Sequence, residues 1–194
     1  MGISSQNVEP HWNYLLAIES ELKELSRYVE FNEKNFACFS IEIARILLAC
    51  GAEVDVVCKQ VCKMISLKSA AENIHEYRDQ IKQRYPDIPN FQVVLPRFGL
   101  TLKPWEEWSK AHGVPHWWTA YNKVKHERDS EYERASLKNA LNAVGGLFVV
   151  VIHMLHAKGL LDNWLPSPLL LSVCPKNIGG RMMGGPDFGI KYRL

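Results

Sequence analysis

The segment from Pro115 to Asp129, Pro-His-Trp-Trp-Thr-Ala-Tyr-Asn-Lys-Val-Lys-His-Glu-Arg-Asp, holds the residues of this chain best suited to chemistry. On a helix, Trp118, Asn122, Lys125, His126 and Asp129 occupy neighbouring positions on one side. Trp117, Tyr121 and Val124 occupy the other. Asn122 and His126 are four residues apart, within reach of a hydrogen bond. Lys125 and Arg128 bring two cations close by. An imidazole beside amide and cationic donors is what a metal-independent ribonuclease needs. In that reaction a ribose 2′-hydroxyl attacks the adjacent phosphate. Histidine can take the hydroxyl proton or protonate the leaving oxygen. Lys125 or Arg128 can stabilise the charge on the phosphoryl group. The Asn122 amide can orient the imidazole or the phosphate. The same residues also have a structural use. Aromatics at this spacing pack cores, His126 can bridge or cap helices, and Asp129 can pair with Lys125.

Other chemistry finds less support. The chain has no Walker loop, dinucleotide glycine fingerprint, His-Glu-x-x-His or nucleophile elbow. His112 and His116 are four apart, but Gly113 and Pro115 break the register between them. His153 and His156 are three apart near a helix end. Neither pair has an evident third ligand, so no metal and no cofactor is expected. The cysteines, Cys38, Cys50, Cys58, Cys62 and Cys174, are odd in number and lack tight pairing. That pattern predicts buried thiols in a reducing cytoplasm and no disulfide framework.

The elements that must position the motif read as helices. Trp12, Leu15, Leu16, Ile18, Leu22 and Leu25 recur at helical spacing between about Pro10 and Glu30. The stretch Ser40 to Ile65 is apolar over most of its circumference, with its polar residues in one stripe. Ser40 can cap it, and Gly51 can mark a close helix crossing. Two capping boxes, Ser69–Glu72 and Ser130–Glu133, predict helix starts there. The first opens a helix ending near Tyr85, and the second a helix running from Glu131 to about Ala157. Pro115 suits the first position of a helix that reaches about Arg128.

Between Pro86 and Pro115 five prolines interrupt the pattern. Phe91 to Leu95 and Leu100 to Leu102 can pair as a short hairpin around Arg97-Phe98-Gly99. Trp105, Trp108, Trp117 and Trp118 predict that this excursion packs onto the helices. Residues 158–194 carry the remaining prolines and glycine pairs and predict an irregular tail that packs on the bundle or on a partner. The whole is expected to be mainly all-α: a helical bundle over 1–157 with an inserted segment at 86–115.

A long central helix, then a short polar motif ending in His just before the last long helix, resembles the HEPN superfamily. The resemblance spans roughly Ile41 to Leu155, with His126 as the family histidine. Asn122 and Lys123 stand where the motif begins. The family's usual arginine ahead of the histidine is absent, and Arg128 follows it instead. The resemblance implies an up-and-down helical bundle that binds or cleaves RNA, as toxins and phage-defence effectors do. It implies a dimer with two motifs facing one cleft, a possible protein partner such as an antitoxin, and an acidic residue on an earlier helix, for which Glu53 is the candidate. The competing expectation is a non-catalytic helical interaction module or adaptor.

Composition bounds these readings. The chain has 194 residues, 47% hydrophobic and 23% charged, as ordinary globular domains do. The formal net charge is +2, too small for a broad electrostatic nucleic-acid platform. Residues 158–194 carry five basic and two acidic residues, so the other 157 sum to −1. The start of the chain lacks the basic and apolar regions of a secretory signal. The uninterrupted apolar run from Gly145 to Ile152 is shorter than a bilayer span. A cytoplasmic protein without a membrane segment is expected.

Overall fold

The computed structural model describes residues 8–160 and 167–174. It is mainly α-helical. Among the described residues six α-helices follow in order: α1 (Pro10–Leu25), α2 (Ile41–Ile65), α3 (Ile74–Arg84), α4 (His116–His126), α5 (Arg128–Glu131) and α6 (Leu137–Ala157). A small sheet is built from β1 (Val93–Leu95), β2 (Leu100–Leu102) and β3 (Ser172–Val173).

Local chemistry sets most helix ends. Ser40 caps α2 as its sequence predicts, with Oγ accepting the Ile43 N–H at 3.2 Å. The two predicted capping boxes fail. Ser69 turns its hydroxyl onto Gln80 Oε1 at 2.7 Å, and Asn73 caps α3 by accepting the His75 and Glu76 N–H groups. Ser130 donates to the Glu127 carbonyl, and α6 starts later, where Ser136 accepts the Asn139 N–H. In both cases a capping residue closer to the apolar run wins. Pro115 stands one residue ahead of its expected place, its carbonyl accepting the Trp118 and Thr119 N–H groups. α1 stops at Leu25, short of Glu30, where the Ser26 hydroxyl bonds the Lys23 carbonyl at 2.6 Å.

The helices alternate in direction around α2 and α6. Phe39 and Ser136 form an antiparallel bridge just before α2 and α6, so these two helices start side by side. Lys158, just past α6, pairs at 2.8 Å with Glu9, just before α1, so α1 runs the other way. α4 runs antiparallel to both. Its Trp117 meets Gly146 of α6 and its Tyr121 meets Gly51 of α2, while Arg128, just beyond its end, faces the start of α2. A Cβ on Gly51 would lie inside the Tyr121 ring, so glycine is what lets α4 approach this closely.

α6 is 21 residues long and apolar enough to cross a membrane, longer than the uninterrupted run in its sequence. Yet 83% of its apolar window is buried inside the protein, as in the core helix of a bundle. The insertion after α3 forms the expected hairpin, with Val93 opposite Leu102 and Leu95 opposite Leu100. Gly99 closes it at φ 63°, the left-handed region that glycine enters freely. Trp105 and Trp108 are buried, with the Trp105 Nε1–H donating to the Gly146 carbonyl and the Trp117 Nε1–H to the Pro104 carbonyl.

Within the described part of the predicted irregular tail, Ser172 and Val173 form a short strand. Ser172 and Val173 pair with Val94 and Val93 on the free side of β1. Glu19, only 2% exposed, holds this segment by accepting the N–H groups of Leu169, Leu170 and Leu171 at 2.8, 2.8 and 2.9 Å. Residues 161–166 and 175–194, with the glycine pairs and most of the tail's basic residues, lie outside the described residues.

Candidate functional site

The motif lies on the last two turns of α4 and the corner that follows. Its aromatic residues belong to the core. Trp117, Trp118, Tyr121 and Val124 are all buried, and Trp118 packs on Tyr121 with centroids 5.3 Å apart. The remaining positions turn outward because α4 covers α2 and α6 with one face only. Lys125, His126, Arg128 and Asp129 are exposed, and Asn122 is half-buried. α4 ends at His126, and Glu127 carries the chain around to α5.

His126 makes no hydrogen bond or ion pair among the described residues. Lys125 sits over the Tyr121 ring at 5.5 Å from its centroid. Neither Lys125 nor Arg128 pairs with a carboxylate among the described residues. Asp129 therefore does not form the pair with Lys125 that the sequence allows. Asn122 directs its Nδ2 to the Trp118 carbonyl at 3.1 Å and makes no bond to His126. The neighbouring cations are spoken for. Lys123 bonds Glu127 at 2.8 Å and lies 4.0 Å from Glu131. Arg134 binds Glu131, and that hydrogen bond holds the Glu131 carboxyl below the ordinary carboxylate range.

Glu53 is not brought to the motif. Gly51 faces α4, and two residues further on the helix has turned roughly 200°. There Glu53 accepts from His11 Nδ1 of α1 at 2.6 Å, while Gln60 Nε2 donates to His11 Nε2 at 2.7 Å. The pair ties α1 to α2. Asp55, one turn beyond Gly51, accepts from Tyr77 of α3 at 2.8 Å and from Lys59 at 2.6 Å. The Asp55 hydrogen bond raises the Lys59 pKa, outweighing the opposing desolvation.

A groove of about 410 Å³ opens beside the motif, a feature the sequence did not signal. Ile41, Ala44, Arg45 and Leu48 of α2 form one side; Arg128, Asp129 and Tyr132 form the other. The α2 positions share one helical face, but α2 is apolar nearly all round, so its sequence does not show which strip stays uncovered. Ile41 is 70% exposed at the rim. Tyr132 is half-buried and held edge-on by Phe39, with centroids 5.3 Å apart and planes at 81°. Arg45 is paired with Glu42 at 2.7 Å in the open.

Other reactive types are placed away from chemistry. Burial pushes the Cys50 and Cys58 thiols up and raises Cys62 to about 11, so these sulfurs stay protonated and inert. His116 faces Glu107 at 3.4 Å, and His153 is buried within α6. Among the described residues, no three of His, Cys, Asp or Glu gather as a metal site would require. Comparison with protein-family models, with curated proteins and with solved structures finds no match for the chain.

Proposed function

We propose that the α4–α5 corner is an RNA-binding and RNA-cleaving site of the HEPN-like kind, working without a metal. One observation carries this reading. An exposed His126, with neither ring nitrogen engaged by a described residue, stands beside two cations that have no carboxylate partner among the described residues. A histidine kept only for the fold would be packed or bonded. Lys123, one turn earlier on α4, is instead paired with Glu127.

In the proposed reaction the ribose 2′-oxygen bonds to phosphorus and the bond to the 5′-oxygen breaks. The hydroxyl proton is lost to a base, and the leaving 5′-oxygen gains a proton from an acid. The products are a 2′,3′-cyclic phosphate and a 5′-hydroxyl end. His126 performs one of these transfers, and Lys125 and Arg128 neutralise the non-bridging oxygens. Two copies facing one cleft, as the resemblance implies, would supply the second imidazole. Asn122 supports the α4 backbone in this scheme, and Asp129 borders the groove. The biological setting that follows is a toxin or phage-defence effector restrained by a protein partner.

The test is cleavage of end-labelled single-stranded RNA by the purified chain with EDTA present. The expected result is cyclic-phosphate ends from the wild type and none from His126→Ala, at an unchanged melting temperature. Cleavage that survives in His126→Ala, or a wild type that never cleaves, overturns the catalytic reading. The alternative, a non-catalytic interaction module or adaptor, draws on one observation: apolar Ile41 lies open at the groove rim.

A further inference from the structure

We infer that the groove between α2 and the α4–α5 corner is a subsite for one nucleobase of single-stranded RNA, next to the phosphate that His126 addresses. This rests on the proposed RNA-directed function and gives it a substrate preference. The volume of about 410 Å³ falls within the range of roughly 300–1,000 Å³ typical of small-ligand sites. Its walls have the chemistry of a base pocket. Ile41, Ala44 and Leu48 provide an apolar floor, and Tyr132 provides an aromatic ring in edge-on contact with Phe39. Single-stranded bases are commonly held against such rings, because every base has a π-face.

The charges point to the same occupant. Arg128 borders the groove without a carboxylate partner among the described residues, and Arg45 stands across from it. Arg45 is paired with Glu42 at 2.7 Å, so Arg128 is the cation free to meet a phosphate beside a base seated in the groove. Lys125 and His126 precede Arg128 by three and two residues, so the imidazole and the groove belong to the same α4–α5 corner. Asp129 is the one acidic residue lining the groove among the described residues. An ionised carboxylate only accepts hydrogen bonds. It therefore favours a base with an exocyclic amine, adenine, cytosine or guanine, over uracil.

The experiment measures binding of fluorescein-labelled pentanucleotides with 2′-deoxy sugars, which the chain cannot cleave because the attacking hydroxyl is gone. Fluorescence anisotropy is read for the adenine, cytosine and thymine series. The expected order places adenine and cytosine at least fivefold tighter than thymine. Ile41→Glu, at an exposed position, and Tyr132→Leu should each weaken binding about tenfold or more. Asp129→Asn should erase the preference without erasing binding. Tight binding unaltered by all three substitutions overturns the subsite and leaves the catalytic proposal standing. No binding of any pentanucleotide, together with no cleavage of RNA, overturns both. A dimer in sedimentation velocity that Ile41→Glu dissociates would assign the groove to a second copy and overturn the base subsite.

Discussion

His153 and His126 carry the same ring into opposite surroundings. His153 lies in the middle of the bundle, 2% exposed, with its Nδ1–H donating to the Val149 carbonyl at 2.7 Å. Tyr85 and Phe91 meet it edge-on at 4.8 and 5.4 Å. Burial pulls its pKa down to about 4, so the ring is neutral. His126 ends a helix that faces water and has no partner among the described residues. The first is a packed core group whose charge the fold excludes. The second contributes nothing visible to the fold, which is the condition for being free to act. The contrast shows that histidine in a motif becomes informative only when its surroundings are known.

The largest expected effect separates the two rings by activity. His126→Ala should cut RNA cleavage about 10²- to 10⁴-fold while changing stability by less than about 0.5 kcal/mol. Parallel cleavage assays and urea melts check both halves. A stability loss of several kcal/mol would place His126 with His153 as a structural residue.

Next comes the pH response of His153. The unfolded chain protonates this ring near 6.5, the folded chain only near 4. The unfolded state therefore binds more protons between those values. The contribution of His153 is full above pH 6.5 and declines as pH falls towards 4, by on the order of 3 kcal/mol in total. Urea unfolding at pH 7 and pH 4.5 should show a steeper loss in the wild type than in His153→Leu. Equal losses would contradict the burial of the ring.

Gly51→Ala sharpens the comparison from the scaffold side. The added methyl collides with the buried Tyr121 ring, which must move together with α4. Overpacking of this kind costs about 1–3 kcal/mol, more than alanine regains in helix propensity. Cleavage should fall as well, because α4 carries His126. A thermal melt and the cleavage assay on the same sample test this. The smallest effect belongs to Lys123→Ala. It breaks exposed pairs with Glu127 and Glu131 and should cost about 0.2–1 kcal/mol, lost in the wild type as well at high salt. Cleavage should stay within about twofold of wild type, unlike the outcome for Lys125 or Arg128.

Much of the scaffold was legible in the residues. The apolar spacing of α1, α2 and α6, the Ser40 cap and the Pro-broken hairpin all arise from interactions within a few positions of each other. The core face of α4 through Trp117, Tyr121 and Val124 was legible for the same reason, but Trp118, read as part of the polar side, is buried beside Tyr121. The exact helix starts at Asn73 and Ser136 were less so, because several capping residues lay near each start and the apolar run chose between them. For the motif, spacing placed Lys125, His126 and Arg128 near one another. It also allowed an Asn122–His126 bond that the structure replaces with one to the Trp118 carbonyl.

The amino-acid sequence by itself determined a mainly helical chain and one polar cluster at the end of a helix. Helical period and capping are local, so they need no knowledge of the rest of the protein. Tertiary structure decided which faces meet. Packing turned Glu53 towards His11 and away from α4. It buried Glu19 under three backbone N–H groups from residues some 150 positions distant. It also left one strip of α2 uncovered beside Arg128, forming the groove. A helix that is apolar nearly all round offers several equivalent faces, and only the neighbours that arrive from far along the chain select the one that remains open.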